Sequence, residues 1–364
     1  MTAPTPRPGI LEISPYKGGD SALPGKTRVI KLASNESPFG PSPMAAKALA
    51  DSSATVHRYP DGGCTKLRSA LGQRHGLDPA NIVCGAGSDE IFGLLCRAYT
   101  GPGDEIVYNE HGFLIFPIAA RACGATPVKA PETNLKADVD AMLDAVSERT
   151  RIIFLANPNN PTGSYLSLED LKRLRAGLRE DVLFVIDAAY AEYVTTSDYD
   201  VGFGMVDDAA NVVVTRSFSK IFGLGGARLG WAYCPPVIAD VLNRIRMPFN
   251  VTAPTQAAGL AALEDTGFVA RALEHNSQWR GRLTQRLRGM GLTVPDSMGN
   301  FVLVRFPAEP GRNAEAADAF LRNHGLIVRR MAAYGLPDSL RITVGLEDEM
   351  QVLTDTLDRF MESA

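Results

Sequence analysis

The stretch RIIFLANPNNPTGSYLSLEDLKRLRAGLREDVLFVIDAAY, residues 151–190, contains two short apolar runs on either side of one helix-like segment. The runs RIIFLANP and DVLFVIDAAY are dominated by Ile, Leu, Val and Phe, which is typical of strands buried on both faces. The segment between them, SLEDLKRLRAGL, has the periodicity of an amphipathic helix. The stretch therefore predicts a strand, a crossover helix and a second, parallel strand.

The same alternation extends in both directions along the chain. Further strands are predicted in NIVCGAG (81–87), EIVYNE (105–110), ATPVKA (125–130), NVVVTRS (211–217) and RLGWAYC (228–234). Further helices are predicted in PSPMAAKALADS (41–52), SDEIFGLLCRAY (88–99, with Ser88 as N-cap), FLIFPIAARACG (113–124) and ADVDAMLDAVSERT (137–150). We therefore expect an α/β fold with a mostly parallel, mixed sheet between helices.

The pattern changes after about residue 245. Two long helical segments precede GNFVLVRF, AADAFLRNHG, LIVRR and LRITVG, which indicates a smaller α+β domain. The first residues are rich in proline and glycine and indicate an extended arm. We predict an arm over residues 1–44 that joins the small domain, a large ligand-binding domain over 45–250, and a small domain over 251–364.

Composition excludes several classes of function. The 364 residues carry a formal net charge of -4, which gives no reason to expect nucleic acid or a membrane surface as partner. The start, MTAPTPRPG, lacks the apolar core of a signal peptide, and no apolar run approaches the ~20 residues of a membrane helix. Five cysteines form no C-x-x-C pair and five histidines lack zinc-binding spacing. We expect a cytoplasmic protein without a metal site.

Chemically useful groups follow the predicted strands. In sheets of this kind, ligands bind at the carboxyl ends of the strands. CGAGSDE provides a glycine turn and a helix N-terminus, which suit phosphate, although Glu90 breaks the dinucleotide fingerprint G-x-G-x-x-G. ANPNNPTG offers amides, IDAAY ends an apolar strand with Asp187, and SFSK brings Lys220 to the end of another. Taken singly, each is also compatible with an ordinary turn.

Together these groups meet the requirements of pyridoxal 5′-phosphate. An amine that is partly removed from water is a nucleophile and forms a Schiff base with an aldehyde. A carboxylate facing a protonated pyridine nitrogen keeps the ring cationic, so that the ring accepts electrons. The glycine turn would hold the phosphate. The sequence therefore predicts Lys220 and Asp187 as the central residues of such a site.

The order CGAGSDE, NPNNPTG, DAAY, SFSK-x7-R and LRITVG resembles the class I/II aminotransferases of pyridoxal-phosphate fold type I over nearly the whole chain. More narrowly, ASNESPFGPSP, RYPDGG, GAGSDE, SMGNFVLV and GLIVR resemble histidinol-phosphate aminotransferases. The combination of motifs is specific for this family, whereas NPTG or GAGSDE alone would be weak evidence for it. The resemblance implies the fold type I architecture, a homodimer with shared active sites, and pyridoxal 5′-phosphate as cofactor.

The resemblance also implies roles for individual residues. Catalysis would fall to Lys220, Asp187 and Tyr190. The remaining cofactor contacts would come from Gly87, Ser88, Phe113, Asn160, Ser217, Ser219 and Arg228, and from Tyr59 reaching the phosphate of the neighbouring subunit. Substrate contacts would come from Tyr16, Asn35, Arg329 and Arg341, with Arg330 as the neighbour to which the Arg329 assignment could shift.

Several of these residues also have ordinary explanations. Phe113 stands where the resemblance implies a tyrosine or another aromatic residue stacked on the ring, but it is also compatible with a core position. Tyr59 is compatible with a surface turn. Tyr16 and Asn35 are compatible with an arm that packs on the core. Arg228 could be a solvated loop residue, although its own segment, GLGGARLG, offers it no carboxylate.

The predicted function is reversible transamination of histidinol phosphate with 2-oxoglutarate, giving imidazole-acetol phosphate and glutamate, through a Schiff base on Lys220. The closest alternative is an aromatic amino acid aminotransferase, because the same scaffold accepts phenylalanine or tyrosine. A threonine-phosphate decarboxylase is a further alternative. A pyridoxal-phosphate sensor attached to a regulator is disfavoured because the chain shows no extra helix-turn-helix segment.

Overall fold

The computed structural model describes residues 4–363, which form four sheets and the helices around them. The strands are β1 (Ile30–Lys31), β2 (Ile82–Gly85), β3 (Glu105–Asn109), β4 (Thr126–Ala130), β5 (Glu132–Thr133), β6 (Lys136–Ala137), β7 (Thr150–Ala156), β8 (Leu183–Asp187), β9 (Val212–Ser217), β10 (Gly230–Tyr233), β11 (Phe301–Arg305), β12 (Leu326–Ile327), β13 (Arg329–Arg330) and β14 (Ser339–Thr343). The α-helices are α1 (Pro43–Ser52), α2 (Thr65–His75), α3 (Ser88–Tyr99), α4 (Ile115–Cys123), α5 (Val139–Asp144), α6 (Leu168–Gly177), α7 (Phe203–Asp208), α8 (Pro236–Ile245), α9 (Ala253–Glu264), α10 (Thr266–Gly289), α11 (Ala314–Asn323) and α12 (Glu347–Ser363).

The largest sheet has seven strands in the order β2-β10-β9-β8-β7-β3-β4. Neighbouring strands from β9 to β4 run parallel, whereas β10 is antiparallel to both β2 and β9. The expected mostly parallel, mixed sheet is therefore confirmed, and so is the smaller α+β part described below.

Alternate residues of the central strands enter two separate cores, one on each face of the sheet. Along β8, Leu183 and Val185 pack into one core, and Phe184 and Ile186 pack into the other. Because both faces are covered, the strands need apolar residues at every position rather than at every second one. This explains why the apolar runs in the sequence are continuous.

Two local expectations are wrong. Helix α5 ends at Asp144 instead of near residue 150, because Thr150 is drawn into β7, where it pairs with Glu105 of β3. Ser88 is the first residue of α3 and not its N-cap. The N-cap is Gly87, whose φ of 87° lies in the left-handed region that favours glycine.

The C-terminal part is built on the antiparallel sheet β11-β14-β13, with α10, α11 and α12 packed around it. Its core includes Trp279, Leu321 and Leu357 from the three helices and Val302 from β11. The arm joins this part through β1, which pairs in parallel with β12.

The division at residues 44 and 250 stays a prediction. The β1–β12 pairing supports placing the arm with the small domain, whereas α9 packs against α1 and α2, on the large-domain side of the predicted boundary. Residues 1–3 and 364 of the predicted domains lie outside the described residues.

Candidate active site

A cavity of about 320 Å³ lies at the carboxyl ends of β7, β8 and β9, where Ala156, Asp187 and Ser217 line it. The strand register places these ends side by side, because Ala156 pairs with Asp187 and Asp187 pairs with Thr215. The lining includes most of the site residues predicted from the sequence, namely Tyr16, Asn35, Ser88, Phe113, Asn160, Asp187, Tyr190, Ser217, Ser219, Lys220, Arg228, Arg329 and Arg341.

Asp187 is the buried carboxyl of the site and is 6% exposed. Its Oδ1 accepts hydrogen bonds from the backbone N–H of Ala189 at 3.2 Å and from the Thr215 hydroxyl at 3.3 Å. Burial raises the pKa of Asp187 to about 7, and the Asp89 carboxylate adds to the rise, while the two hydrogen bonds and Lys220 oppose it. A buried carboxyl of this kind is suited to a cationic N–H partner.

Lys220 lies in the loop after β9, and its Nζ is 5.6 Å from the centre of the Tyr190 ring. Tyr190 is fixed at two points. Its hydroxyl oxygen accepts a hydrogen bond from Asn35 Nδ2 at 2.8 Å, and its ring packs edge-on against Phe301. Because the oxygen acts as an acceptor here, the hydroxyl hydrogen of Tyr190 is available for a ligand.

The glycine turn and the Lys220 loop meet across β10. Gly230 pairs with Gly85 on one side and with Ser217 on the other. A Cβ at Gly230 would lie 2.3 Å from the backbone nitrogen of Ser88, so this contact requires glycine. The N-terminus of α3 is thereby held beside the loop that carries Lys220, and its N–H groups form a candidate anion site.

Arg228 completes this anion site. Its Nη1 donates to the Gly225 carbonyl at 3.0 Å and to Ser219 Oγ at 3.4 Å, and its Nη2 lies 3.3 Å from Asp89 Oδ2. The expectation that Arg228 has no carboxylate near it holds for its own segment only. The partner comes from α3, 139 positions earlier in the chain.

Arg341 of β14 reaches the cavity from the small sheet and is 6% exposed. Its Nη1 donates to Asn160 Oδ1 and its Nη2 donates to the Ala33 carbonyl at 2.8 Å. Its Nε is buried without a hydrogen-bond partner among the described residues. Because unpaired buried donors are costly, this guanidinium is a strong candidate for binding an anion.

Arg329 lies directly opposite Arg341 in the pairing of β13 with β14. Side chains at paired positions point to the same face of a sheet, so both guanidinium groups reach the same region. Arg330 instead pairs with Glu315 at 2.9 Å and does not line the cavity. The geometry therefore favours Arg329 over Arg330. Arg329 also donates to the Lys17 carbonyl and so fixes the arm beside the exposed Tyr16.

Phe113 and Tyr59 have different surroundings. Phe113 is half-buried, lines the cavity and packs edge-on against Phe116. Tyr59 is 83% exposed, stacks on Phe249 at 4.6 Å and is not part of the lining. Gly87 does not line the cavity either, but it lies behind the Arg228 guanidinium. A single chain thus brings together the predicted residues except Tyr59.

The sequence analysis missed two acidic residues that line the cavity. Asp89 contacts Arg228, and Glu36 pairs with Lys31 at 2.9 Å. Both lie inside quoted motifs, GAGSDE and SNESP, so the signal was present. Their roles could not be assigned because their partners are set by the three-dimensional arrangement.

The arrangement has three chemical parts. Arg228 and the N-terminus of α3 form a candidate anion site, the Lys220 amine and the buried Asp187 carboxyl line the same cavity, and Arg329 and Arg341 form a second candidate anion site. Such a cavity can hold a phosphorylated ring at one end and an anionic substrate at the other, with the amine between them.

A family model described as aminotransferase class I and II matches residues 27–357. The chain belongs to this family. The family membership predicted from the motifs is therefore confirmed, and the protein is an aminotransferase. Among residues 4–363, this aminotransferase has no helix long and apolar enough to cross a membrane.

Individual relatives are similar over their full length. The histidinol-phosphate aminotransferase of Paramagnetospirillum magneticum is 58% identical over 99% of both chains, and that of Rhodospirillum centenum is 59% identical over 98% of both. Among solved structures, the histidinol-phosphate aminotransferase of Sinorhizobium meliloti in complex with pyridoxal-5′-phosphate has a TM-score of 0.88 and 29% identity. It covers 93% of this chain and 92% of its own.

Proposed function

We propose that this aminotransferase transfers an amino group reversibly between histidinol phosphate and 2-oxoglutarate, giving imidazole-acetol phosphate and glutamate, as a step of histidine biosynthesis. Full-length relatives with 58% and 59% identity carry the name histidinol-phosphate aminotransferase. The observation that carries the proposal is the facing pair Arg329 and Arg341 in the cavity that also contains Lys220.

The cavity fits pyridoxal 5′-phosphate, which we propose as the cofactor. Arg228, Ser219 and the N-terminus of α3 suit the phosphate, and the buried Asp187 suits the pyridine nitrogen. A Cβ on Gly87 would lie 2.3 Å from Arg228 Nη2, so the turn leaves room for the guanidinium only because residue 87 is glycine. When bound, the cofactor supplies an aldehyde for an amine and a ring that accepts an electron pair.

The protein's own residues then have defined tasks. Lys220 Nζ would accept the proton from the substrate carbon and pass it to the cofactor's aldehyde carbon, and would carry a proton in the opposite direction in the second half-reaction. Asp187 would keep the proton on the pyridine nitrogen, which would maintain the ring as a cation. Tyr190 and Asn160 would donate to the cofactor's phenolic oxygen. Their donor groups are available because Tyr190 Oη and Asn160 Oδ1 already act as acceptors.

Arg329 and Arg341 bind the anionic end of each substrate. Histidinol phosphate carries a phosphate ester and 2-oxoglutarate carries carboxylates, and a guanidinium fork suits both. The same pair of residues therefore serves both halves of the reaction. Tyr16 and Asn35 border this end of the cavity.

The proposal is tested by titrating the purified, cofactor-loaded protein with each substrate separately. Histidinol phosphate should convert the cofactor to its amine form and remove the visible absorption band, and 2-oxoglutarate should restore the band. A response to phenylalanine or tyrosine alone would favour the aromatic aminotransferase. Release of carbon dioxide from threonine phosphate would favour the decarboxylase.

We also propose a homodimer in which Tyr59 reaches the neighbouring active site. Exposure of Tyr59 and its stacking partner Phe249, at 83% and 43%, supports this proposal. Sedimentation should give twice the 39.1 kDa of the chain, and a monomer at micromolar concentration would contradict it.

A cytoplasmic location is proposed because all five cysteines are free thiols. Cell fractionation should recover the activity with cytoplasmic markers. Recovery in a membrane or secreted fraction would contradict this location.

Substitution of Gly87 by alanine should weaken pyridoxal 5′-phosphate binding about a hundredfold. The residue has φ +87°, which costs an alanine roughly 1–3 kcal/mol. The new methyl group would also displace the Arg228 guanidinium. Equilibrium dialysis of the cofactor measures the effect. Gly93→Ala is the control, since a Cβ there meets nothing within 4 Å and lies in α3. It should leave binding unchanged and stabilise the fold by up to about 1 kcal/mol.

Substitution of Arg341 by lysine should lower kcat/KM for histidinol phosphate roughly 10²–10³-fold, because lysine cannot make a bidentate contact with an anion. It also leaves Asn160 Oδ1 and the Ala33 carbonyl without their present donor. Steady-state kinetics with both substrates measure the loss. Arg330→Lys is the matched control, and an equal loss in that variant would show that the effect is not specific to the cavity.

A further inference from the structure

Asp89 occupies a position that the transamination steps above do not use. It is the second residue of α3, lines the cavity, and places Oδ2 at 3.3 Å from Arg228 Nη2. The other contacts of the guanidinium, to the Gly225 carbonyl and Ser219 Oγ, are both made by Nη1. Asp89 is therefore the charged group that orients the Nη2 edge of Arg228.

The same edge faces the proposed phosphate site. Arg228 Nη2 lies against Gly87, at the turn whose next residue, Ser88, opens α3 and lines the cavity. A phosphate bound between this turn and Arg228 would compete with the Asp89 carboxylate for the guanidinium. Because two anions that share one guanidinium repel each other, binding of the phosphate should displace the Asp89 carboxylate or favour its protonation.

The charged groups around Asp89 make this competition sensitive to pH. Burial raises the pKa of Asp89, whereas Arg228 and Lys220 lower it. Asp187 of β8 also interacts electrostatically with Asp89. A bound phosphate would add a further negative charge and would favour the protonated carboxyl still more.

We propose that Asp89 is a positioning residue whose carboxylate fixes the Arg228 guanidinium and competes with the cofactor's phosphate for it. The negative charge of Asp89 therefore weakens cofactor binding. The inference depends on the proposed cofactor but not on which amino donor the enzyme uses.

The test uses full-length chains that also carry Lys220→Ala, so that no covalent bond to the cofactor contributes. Equilibrium dialysis measures the dissociation constants of pyridoxal 5′-phosphate and of pyridoxal, which has no phosphate. With Asp89→Asn added, pyridoxal 5′-phosphate should bind about tenfold more tightly at pH 8, and pyridoxal should bind unchanged. The tenfold difference should shrink as the pH is lowered, because the Asp89 carboxylate then becomes neutral in the parent chain. Loss of the Asp89 charge also lowers the pKa of Asp187. Pyridoxal, whose ring would meet Asp187 in the same way, reports that contribution at each pH, so the comparison is made on the ratio of the two dissociation constants.

Asp208→Asn, an exposed change outside the cavity, controls for net charge and should leave both constants unchanged. Unchanged or weaker binding of pyridoxal 5′-phosphate by Asp89→Asn would overturn the proposal and leave Asp89 as a structural partner of Arg228. Equal tightening for pyridoxal would also overturn it, since the effect would then not depend on the phosphate. If histidinol phosphate proves not to be a substrate, the two binding constants still decide whether Asp89 competes with the cofactor's phosphate.

Discussion

Replacement of Lys220 by alanine should reduce transamination by a factor on the order of 10⁵, as expected when an enzyme loses the amine proposed to form the Schiff base and to transfer the proton. The variant should keep its fold, because Lys220 is half-buried at the open cavity rather than packed in a core. It should also still bind pyridoxal 5′-phosphate, since Arg228 and the N-terminus of α3 are untouched. Single-turnover kinetics and cofactor dialysis measure the two properties separately.

Borohydride reduction provides the second part of this test. In the unsubstituted chain, the cofactor should remain attached to the peptide that contains Lys220, and in Lys220→Ala no peptide should carry it. Lys172→Ala, at an exposed position on α6, is the matched control and should retain full activity and labelling. A label on a different side chain would remove Lys220 from the centre of the mechanism.

Replacement of Asp187 by asparagine should lower kcat/KM by roughly 10²–10⁴, because removing one member of a buried charge pair costs about 3–5 kcal/mol. Asparagine keeps the size of the side chain but cannot hold a proton on the pyridine nitrogen. Stopped-flow measurement of each half-reaction gives the loss. Asp144→Asn, at the exposed end of α5, is the control and should change nothing. Near-normal rates in Asp187→Asn would mean that the ring does not need this carboxylate.

The same substitution should stabilise the cofactor-free protein at high pH. The native Asp187 carboxyl keeps its proton up to a pKa of about 7, whereas the unfolded chain loses it near the ordinary aspartate pKa of 3.8. Between these values the unfolded state binds fewer protons, so the free energy of unfolding falls as the pH rises, by roughly 4 kcal/mol in total. Asparagine has no such titration.

Denaturant unfolding of the cofactor-free chains at pH 4 and pH 8 measures this effect. The advantage of Asp187→Asn over the unsubstituted chain should be larger at pH 8 than at pH 4 by up to about 4 kcal/mol. A difference that does not change with pH would contradict the raised pKa. Function and stability are therefore opposed at this position, as is common in active sites.

Sequence patterns predicted much of the sheet because they report burial at each position. Continuous apolar runs such as Phe184–Ile186 indicate a strand covered on both faces, and this expectation is confirmed by the two cores. The direction of β10 was not predictable, because a short apolar run is the same in parallel and antiparallel pairing. The end of α5 was missed for a related reason, since the pairing of Thr150 with β3 depends on a distant strand.

For the site, residue types and spacing predicted Lys220 and Asp187, and the resemblance supplied the remaining candidate residues and the expected roles. Spacing could not indicate that Asp89 contacts Arg228, or that Arg341 donates to both Asn160 and the Ala33 carbonyl. These contacts join segments 139, 181 and 308 positions apart. They depend on the order of the strands and on the path of the arm.

The sequence by itself determined the α/β architecture and the family, and it predicted Lys220 and Asp187 as the central pair of the site, because local periodicity and motif spacing are properties of the chain. The tertiary structure alone decided which charges meet in the cavity and that Arg329, not Arg330, faces Arg341. The physical reason is that the energy of a buried charge depends on its neighbours in space, and those neighbours are set by strand order and packing rather than by position along the chain.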